Sequence, residues 1–150
     1  MIRAATEADA AALAEIQARA WRWAYSDFVD HDDMPVAAER LERWRDNVAH
    51  GRLRVFDQDG TVVGYASVHG DQLTSLYVDP AAQGAGVGGL LLTDAEERLR
   101  AGGSTVAWLW VFVANAQGRA FYERRGWRAV GEPHREAHWV GEALRYERAL

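Results

Sequence analysis

The residue pattern with the clearest chemical meaning is the glycine-rich segment at residues 72–89, QLTSLYVDPAAQGAGVGG. The apolar stretch 73–78 predicts a short strand that ends at Asp79-Pro80, because proline cannot donate to a sheet ladder. The glycines let the backbone turn tightly, and an apolar-periodic stretch then predicts a helix. The first N–H groups of a helix lack intrahelical acceptors, so they point outward. The segment therefore predicts an anion cradle that suits a phosphate or pyrophosphate.

Two common phosphate-binding motifs fit this segment poorly. Gly84, Gly86 and Gly89 have the spacing of the dinucleotide-binding motif G-x-G-x-x-G. That motif belongs to the first strand–helix turn of a doubly wound sheet and needs an acidic residue about 20 positions later. Here the loop lies past mid-chain, and the next apolar stretch, 106–113, contains no acid. A nucleotide P-loop fails as well, because no Lys-Ser/Thr pair follows the last glycine. A glycine-rich turn that only caps a core helix is a further, structural alternative.

With a second motif further along the chain, this segment resembles the GNAT superfamily of N-acetyltransferases. The pyrophosphate motif of that family is Gln/Arg-x-x-Gly-x-Gly/Ala at a strand–helix junction, and the matching residues are Leu76, Tyr77, Val78, Asp79, Pro80, Gln83, Gly86, Val87 and Gly88. The second motif is an apolar strand, an Asn, a helix with a Tyr, and then Gly and an aromatic residue. It matches 108–113, Asn115, Ala120, Phe121, Tyr122, Gly126 and Trp127, and the first helix adds Ala20, Trp21, Ala24 and Tyr25. The resemblance covers nearly the whole chain.

The resemblance implies that acetyl-CoA is the phosphate-bearing co-substrate. Its pyrophosphate would be held by backbone amides of Gln83, Gly84, Ala85, Gly86, Val87 and Gly88. The backbone of Tyr77 and Val78 would pair with the pantetheine arm, and the Val78 N–H would polarise the acetyl carbonyl. Asn115 would bond the cofactor arm, cap the following helix, or do both. Arg119 is a candidate for a coenzyme A phosphate, as are Arg124 and Arg125, although a solvated basic face is the simpler explanation of all three.

Acetyl transfer to an amine also needs an acid and a base. Tyr122 lies where the family places the acid that protonates the leaving thiolate, and a phenol is protonated at neutral pH; a core aromatic is the alternative. The family often places a glutamate base at the positions that Gln72 and Trp110 hold here, and neither can accept a proton from an ammonium. Asp71 and His69 are therefore candidates, beside a water chain or an acid from the first helix–loop region.

Aromatic and acidic residues indicate where the acceptor binds. Trp23, Tyr25 and Trp110 are the candidate substrate-binding residues, in an aromatic-rich set that also holds Trp21, Phe28 and Trp108. Asp27, Asp30, Asp32 and Asp33 cluster after the first helix. An aromatic cleft with acids at its rim would suit a cationic amine. For each residue taken separately, a core or solvated position explains it at least as well.

Composition and charge narrow the function classes. The chain has 150 residues, is 49% hydrophobic and 26% charged, and has a formal net charge of −5. We expect one domain, 1–150, with no nucleic-acid partner and no membrane partner. The absence of cysteine excludes disulfides and a cysteine nucleophile. His134 and His138 are four apart without a third ligand, so no metal is expected. No signal peptide is evident and the cytoplasm is expected; a homodimer is common in the family.

The predicted elements follow the order βααβββαβαββ. Helices are predicted near 7–24, 36–49, 87–100 and 116–125, and strands at 2–5, 53–57, 62–68, 73–78, 106–113, 127–130 and 143–148. The expected fold is α/β, a mixed, mostly antiparallel sheet with helices on both faces, as in the GNAT family. The expected function is direct transfer of acetyl from acetyl-CoA to a primary amine, on a small molecule or a protein N-terminus. A non-catalytic acyl-CoA-binding sensor or partner module is the alternative.

Overall fold

A computed structural model of the chain describes residues 1–25, 37–137 and 139–150. The elements within them are, in order, β1 (Ile2–Ala4), α1 (Ala10–Tyr25), α2 (Ala37–Ala49), β2 (Leu53–Gln58), β3 (Thr61–His69), β4 (Gln72–Val78), α3 (Val87–Ala101), β5 (Val106–Phe112), α4 (Ala116–Glu123), β6 (Arg128–His134) and β7 (Ala143–Ala149). Short 3₁₀ turns at Glu7–Asp9 and Pro80–Ala82 precede α1 and α3. The predicted order of elements is thereby confirmed.

The described strands form one mixed sheet in the order β1-β2-β3-β4-β5-β7-β6. All neighbours are antiparallel except β4 and β5, which are parallel. Among the described residues, β4 and β5 pair at a single position, Gln72 with Trp108, near their N-terminal ends. Past that position the strands no longer pair, so the sheet is open between their C-terminal ends. Ligands of open α/β sheets bind at such an end.

Helices cover both faces of the sheet, and each face has its own core. On one face Leu91 and Leu92 of α3 pack with Leu109 of β5, together with Trp127 and Tyr146. On the other face α1 and α2 cover β2 and β3 through the buried residues Leu13, Ile16, Trp44, Val55 and Tyr65. The alternating side chains of each strand divide between the two cores, as expected for a sheet that is buried on both sides. This arrangement confirms the expected α/β fold.

Two element boundaries differ from the sequence prediction. The start of the first helix is a 3₁₀ turn, in which the carboxylate of Asp9 accepts the Thr6 N–H at 2.8 Å, and the α-helix begins only at Ala10. Strand β6 begins one residue later than predicted and continues to His134 instead of ending at Val130. A bulge between Val130 and His134 keeps the strand paired with β7, although Pro133 has no N–H to donate.

Some of the predicted features lie outside the described residues. The acidic cluster of Asp27, Asp30, Asp32 and Asp33, together with Phe28 and His138, is outside the described residues.

In the part of the chain that is described, no helix has the length and apolar character needed to cross a lipid bilayer. Within those same residues no group of three His, Asp or Glu side chains converges as a metal site.

Candidate active site

A cavity of about 530 Å³ lies where the sheet opens beyond the C-terminal end of β4. Its walls come from the last turn of α1, the end of β4, the glycine-rich loop with the start of α3, and α4. The lining residues are Ala20, Trp23, Ala24, Tyr25, Leu76, Tyr77, Val78, Ala82, Gln83, Gly84, Gly86, Val87, Gly88, Gly89, Asn115, Gln117, Gly118, Phe121, Tyr122, Arg124 and Arg125. The volume is in the range of small-ligand and cofactor sites.

Backbone geometry builds the anion cradle at one end of the cavity. Gly84 and Gly86 have φ values of 85° and 82°, a conformation that residues with a Cβ rarely adopt. Gly86 is the N-cap of α3, and its carbonyl accepts the first intrahelical bond, from Leu90 N at 3.1 Å. The N–H groups of Val87, Gly88 and Gly89 precede that bond, so the helix itself offers them no acceptor. They form a site of positive potential for an anion.

The loop is held in place by Asp79, which ends β4. Its N–H donates to the carbonyl of Val63 at 2.8 Å, and its carboxylate accepts from the Arg19 guanidinium at 2.7 Å and from Ala81 N at 3.2 Å. Arg19 belongs to α1, so one carboxylate joins the strand, the loop and the helix that forms the opposite wall of the cavity. Rigid support of this kind is what a preorganised binding loop requires.

The glycines Gly88 and Gly89 serve a different purpose from the one that the sequence suggested. A Cβ on Gly88 would lie 3.2 Å from the ring of Phe121, and a Cβ on Gly89 would lie 3.1 Å from the Arg125 guanidinium. Both neighbours belong to the α4 region, whose side chains pack over the first turn of α3. These two glycines therefore admit α4 to the helix start, whereas Gly84 and Gly86 shape the turn.

The edge of β4 that faces the cavity carries unpaired backbone groups. Residues 77 and 79 direct their backbone toward β3, as the bond from Asp79 N to Val63 O and the pairing of Tyr77 with Tyr65 indicate. Because hydrogen-bonding groups alternate along a strand, the N–H groups of Leu76 and Val78 point to the opposite side. On that side β5 has already separated from β4. An extended ligand arm can therefore pair with this edge as an additional strand would.

Three tyrosines meet at the inner end of the cavity. Burial, and next the proximity of Tyr77, raise the pKa of Tyr122 above its ordinary value. Burial is also the main cause that raises the pKa of Tyr25, whose hydroxyl accepts a hydrogen bond from Asn115 Nδ2 at 3.0 Å. The Tyr77 hydroxyl accepts from Trp21 Nε1 at 3.1 Å. Phenols in this environment stay protonated at neutral and moderately basic pH, so Tyr122 is able to donate a proton.

Asn115 has two structural roles at this end of the cavity. Its side-chain oxygen accepts from Gly118 N at 3.0 Å and so caps α4, and its Nδ2 holds the Tyr25 hydroxyl. A Cβ on Gly118 would lie only 2.4 Å from Nδ2, so residue 118 must be glycine for this cap to form.

Comparison with known proteins gives the family of this site. The sequence profile of the acetyltransferase (GNAT) family matches residues 11–127. The chain belongs to the GNAT acetyltransferase family. Family membership confirms the expected enzyme class, an acetyl-CoA-dependent acetyltransferase acting on amines. Among curated protein sequences, none is significantly similar to this chain.

Solved structures show the same fold over the whole chain. PaiA N-acetyltransferase from Thermoplasma acidophilum, solved with coenzyme A, is 18% identical with a TM-score of 0.82, and the match covers 100% of this chain and 98% of that one. Ribosomal-protein-alanine N-acetyltransferase from Brucella melitensis is 26% identical with a TM-score of 0.78, covering 100% and 99%. YncA from Salmonella typhimurium, solved with its cofactor acetyl-CoA, is 24% identical with a TM-score of 0.76, covering 99% and 92%.

Most of the predicted site residues of this acetyltransferase line the cavity. Those that do are Tyr77, Val78, Gln83, Gly84, Gly86, Val87, Gly88, Asn115, Tyr122, Trp23 and Tyr25. Ala85 lies on the other side of the loop, beside Met1 and Phe56. Arg119 does not line the cavity either: its guanidinium donates to the Val113 carbonyl at 3.1 Å and to the Tyr146 hydroxyl at 3.3 Å.

The cations of the cavity are Arg124 and Arg125, which the sequence did not separate from Arg119. The Arg125 guanidinium lies 3.9 Å from the centre of the Phe121 ring and donates to the Phe121 carbonyl at 3.0 Å. It thereby stays next to the first turn of α3. The signal that could have found it is its position four residues after Phe121, because residues four apart lie on one side of a helix.

The two candidate bases are not part of the cavity. Asp71 and His69 are exposed at the turn before β4, at the end of the strand opposite to the glycine-rich loop. The carboxylate of Asp71 accepts from the Ser104 hydroxyl at 2.5 Å, which joins the turn to the segment between α3 and β5. The six residue steps from Asp71 to Tyr77 span about 20 Å in a strand, so neither candidate reaches the cavity end of β4.

Trp110 lies outside the cavity, in a wall of aromatic rings on one face of β5. Trp108, Trp110 and Phe112 alternate with the buried Ala107, Leu109 and Val111, so the three aromatic side chains share the face opposite to α3. Ring contacts extend the wall to Trp21 and Tyr25 of α1 on one side and to His134 and Trp139 on the other. We call Trp110, Phe112, His134 and Trp139 the aromatic wall. Of its four members, sequence reasoning singled out Trp110 for the acceptor side and missed Phe112, His134 and Trp139.

Proposed function

We propose that this acetyltransferase transfers the acetyl group of acetyl-CoA directly to a primary amine within a ternary complex, and that residues 1–150 form one catalytic domain. The observation that carries the proposal is the continuity of the cavity. A single space joins the N-terminal amides of α3, the open edge of β4 and the side chain of Tyr122. Pyrophosphate, an amide-bearing arm and a thioester occur in that order along acetyl-CoA.

The residues at the helix start suit the pyrophosphate. Backbone N–H groups of Val87, Gly88 and Gly89 point at the space in front of α3, and the helix dipole favours negative charge there. A Cβ at Gly84 or Gly86 would meet no atom within 4 Å, so the surface in front of both residues is open to a ligand. The guanidinium of Arg125 is beside this turn and Arg124 lies on the cavity rim, and both supply further positive charge for phosphate groups.

At the inner end, two groups match the charges that acetyl transfer develops. The Val78 N–H, on the open edge of β4, would donate to the thioester oxygen as negative charge forms on it. Tyr122 would protonate the leaving thiolate. Burial raises the pKa of the Tyr122 phenol, and the same dry surroundings raise the proton affinity of a thiolate that forms beside it. The raised pKa of the phenol therefore does not by itself prevent proton transfer from Tyr122 to the thiolate.

The acceptor is a primary amine, and it reaches the thioester from the side of the cavity that α1 forms, next to the aromatic wall. Trp23, which is 50% exposed to solvent, and Tyr25 line the cavity there. The ring of Tyr25 contacts the ring of Phe112, a member of the wall, at 5.6 Å between ring centres. Aromatic surfaces attract ammonium groups by cation–π interactions. Trp110 would then contact the acceptor and not the cofactor, because it is part of the wall and not of the cavity.

The experiment that tests this function is release of free thiol from acetyl-CoA, followed with a chromogenic disulfide reagent across polyamines, aminoglycosides, amino acids and short peptides. The chain contains no cysteine, so the protein adds no background. Release that depends on one class of amine supports the proposal and gives the acceptor class. Tight acetyl-CoA binding without release from any amine would contradict it.

A non-catalytic acyl-CoA-binding module is the second candidate, and one observation favours it. Among the described residues that line the cavity, none is a carboxylic acid or a histidine. The cofactor side alone is sufficient for binding, whereas turnover of an ammonium requires a group that takes its proton. The same thiol assay, combined with calorimetric titration of acetyl-CoA, distinguishes the two functions.

A further inference from the structure

The proposed function leaves open where the proton of the acceptor ammonium goes. An amine attacks a thioester only as the neutral base, so a proton must leave it first. The described cavity lining offers arginines and tyrosines but no basic acceptor, and the Asp71–His69 turn is at the far end of β4. Of the three histidines among the described residues, His50 ends α2 and His69 ends β3, and His134 alone belongs to the aromatic wall.

Strand register places His134 on the acceptor side of the sheet. His134 of β6 pairs with Ala143 of β7, and Ala143 pairs with Phe112 of β5. Paired residues direct their side chains to the same face, so the imidazole shares a face with Phe112. Two strand spacings, about 10 Å, separate the two backbones, and their side chains shorten that gap. The bulge after Val130 sets this register, since without its extra residues His134 would not lie opposite Ala143.

Contiguous rings join His134 to the cavity. The His134 ring stacks on Trp110 with centres 5.5 Å apart and meets the Trp139 ring at 5.6 Å. Trp139 meets Phe112 at 6.3 Å, and Phe112 meets the cavity residue Tyr25 at 5.6 Å. An acceptor bound along this wall would direct its amine to the cavity, and its other end would lie near His134.

A carboxylate fixes the tautomer of the neutral ring. Glu136 Oε1 lies 2.7 Å from His134 Nε2, and both side chains are about half exposed, at 51% and 49%. A carboxylate only accepts, so in the neutral imidazole the proton is on Nε2 and the lone pair is on Nδ1. The same carboxylate stabilises the imidazolium once Nδ1 has taken a proton. Two aromatic rings and a carboxylate therefore orient this imidazole, whereas a solvated surface histidine needs no such contacts.

We propose that His134, oriented by Glu136, Trp110 and Trp139, takes the proton of the acceptor ammonium through a chain of waters on the exposed side of the wall. This assignment rests on the proposed function. The neutral nitrogen then bonds to the thioester carbon while the C–S bond breaks, and Tyr122 protonates the thiolate. As the amide forms, the nitrogen loses a second proton, and this proton restores the Tyr122 phenol. The products are the amide, the free thiol and one proton, which leaves from His134.

Other charged groups lie near His134 in the described part of the chain. Arg145 of β7 lies on the same face, but its guanidinium covers the Trp108 ring at 4.3 Å and donates to Glu147 at 2.8 Å. Arg135 adjoins His134, and Glu142 is exposed in the connection from β6 to β7. Trp110, Phe112 and Trp139 carry no charge. Among the described residues, Glu136 is therefore the charged group in direct contact with the imidazole.

The test compares the pH dependence of acetyl transfer in the wild type, His134→Gln and Glu136→Gln, with an amine chosen from the thiol-release panel. His134→Gln should lower kcat at neutral pH about 10²-fold and abolish the fall in rate on the acid side. Glu136→Gln should lower kcat by a smaller factor, because the ring contacts of His134 remain while the carboxylate that orients the imidazole is lost. The affinity for acetyl-CoA should stay unchanged in both variants. Added imidazole should restore part of the rate in His134→Ala.

His50→Gln is the matched control, because His50 is 54% exposed, lies 3.6 Å from the Asp46 carboxylate and is remote from the wall. It should behave as the wild type. Wild-type turnover combined with an unaltered pH profile in His134→Gln, or with a raised KM for the amine alone, overturns the assignment and leaves the proposed function intact. A wild type that releases no thiol with any amine contradicts the proposed function, and this assignment with it.

Discussion

The two sides of the proposed reaction centre are built from different chemical groups. On the cofactor side, the key groups are backbone amides of β4 and α3, and the side chains there mainly hold the backbone in place, as Asp79 and Arg19 do. On the acceptor side, the surface is made of side chains from α1, β5, β6 and the segment before β7. Every residue type except proline offers the same backbone donor and acceptor, so we expect the cofactor side to tolerate side-chain substitutions that would change the acceptor side.

The largest expected effect comes from removing one backbone donor of the cofactor side. Val78→Pro deletes the N–H that points to the cavity and costs no bond to β3, because that N–H is on the open edge. We expect kcat to fall about 10²–10³-fold, as for loss of one donor to a developing oxyanion. Val78→Ile keeps the N–H and should leave kcat nearly unchanged. Thermal unfolding of both variants checks that the strand is intact, and equal kcat values in the two folded variants would refute the donor role.

Loss of the Tyr122 hydroxyl should have the next largest effect. Tyr122→Phe retains the ring and its contacts with Phe121 and Trp127 but has no proton to give. We expect kcat to fall about 10²-fold with little change in acetyl-CoA affinity, measured by steady-state kinetics and calorimetry. Tyr146→Phe is the control, because that buried hydroxyl donates to Glu123 at 2.7 Å away from the cavity. Similar kcat values for Tyr122→Phe and the wild type would remove the assignment.

A smaller effect is expected from straining the anion cradle. Gly86→Ala forces a Cβ onto a residue with φ of 82°, which costs about 1–2 kcal/mol. Acetyl-CoA has to restore the cradle when it binds, so its Kd should rise about 10-fold by calorimetry, with kcat at saturation little changed. Gly103→Ala, with φ of 98° at the other end of α3, carries the same strain and should destabilise the fold without changing Kd. Equal Kd values in the two variants would contradict the cradle.

The smallest effect concerns the scaffold that both sides share. Arg3 lowers the pKa of Asp9 through a hydrogen bond at 2.8 Å. A lowered folded-state pKa adds stability above the unfolded value of about 4, and this stability is lost as pH falls through the folded pKa. Asp9→Asn should therefore lower the free energy of unfolding by about 1–2 kcal/mol at pH 7. The difference from the wild type should shrink below about pH 4 in urea titrations. A constant difference across that range would exclude the ion pair as its cause.

The sequence predicted the strand, loop and helix of the proposed cofactor side well because their signals are local. Asp79-Pro80, the glycines and the apolar periods act within a few residues, so the strand, loop and helix of 72–101 were all placed within one or two positions. The same holds for Asn115, whose capping role depends only on the next three residues. Gly88 is required by a tertiary contact, because Phe121 packs against it. A local interpretation therefore gave the wrong reason for this glycine.

The acceptor side was predicted poorly because its contacts join distant parts of the chain. His134 lies opposite Phe112 only through the register of β7 and the bulge in β6, and neither leaves a pattern in the sequence near His134. The prediction that ended β6 at Val130 therefore removed His134 from the sheet. Asp71 and His69 were chosen for their position beside Gln72, but β4 directs them to the end remote from the cavity.

The measurement that tests the central claim most directly is titration of the ¹⁵N-labelled protein with acetyl-CoA, followed by the amide signals in two-dimensional NMR. If backbone amides build the cofactor side, the largest shifts should be at Val78 and at Val87, Gly88 and Gly89, with smaller changes at the Trp110 and His134 amides of the aromatic wall. Saturable binding that leaves the amides of residues 78 and 87–89 unshifted would contradict the account.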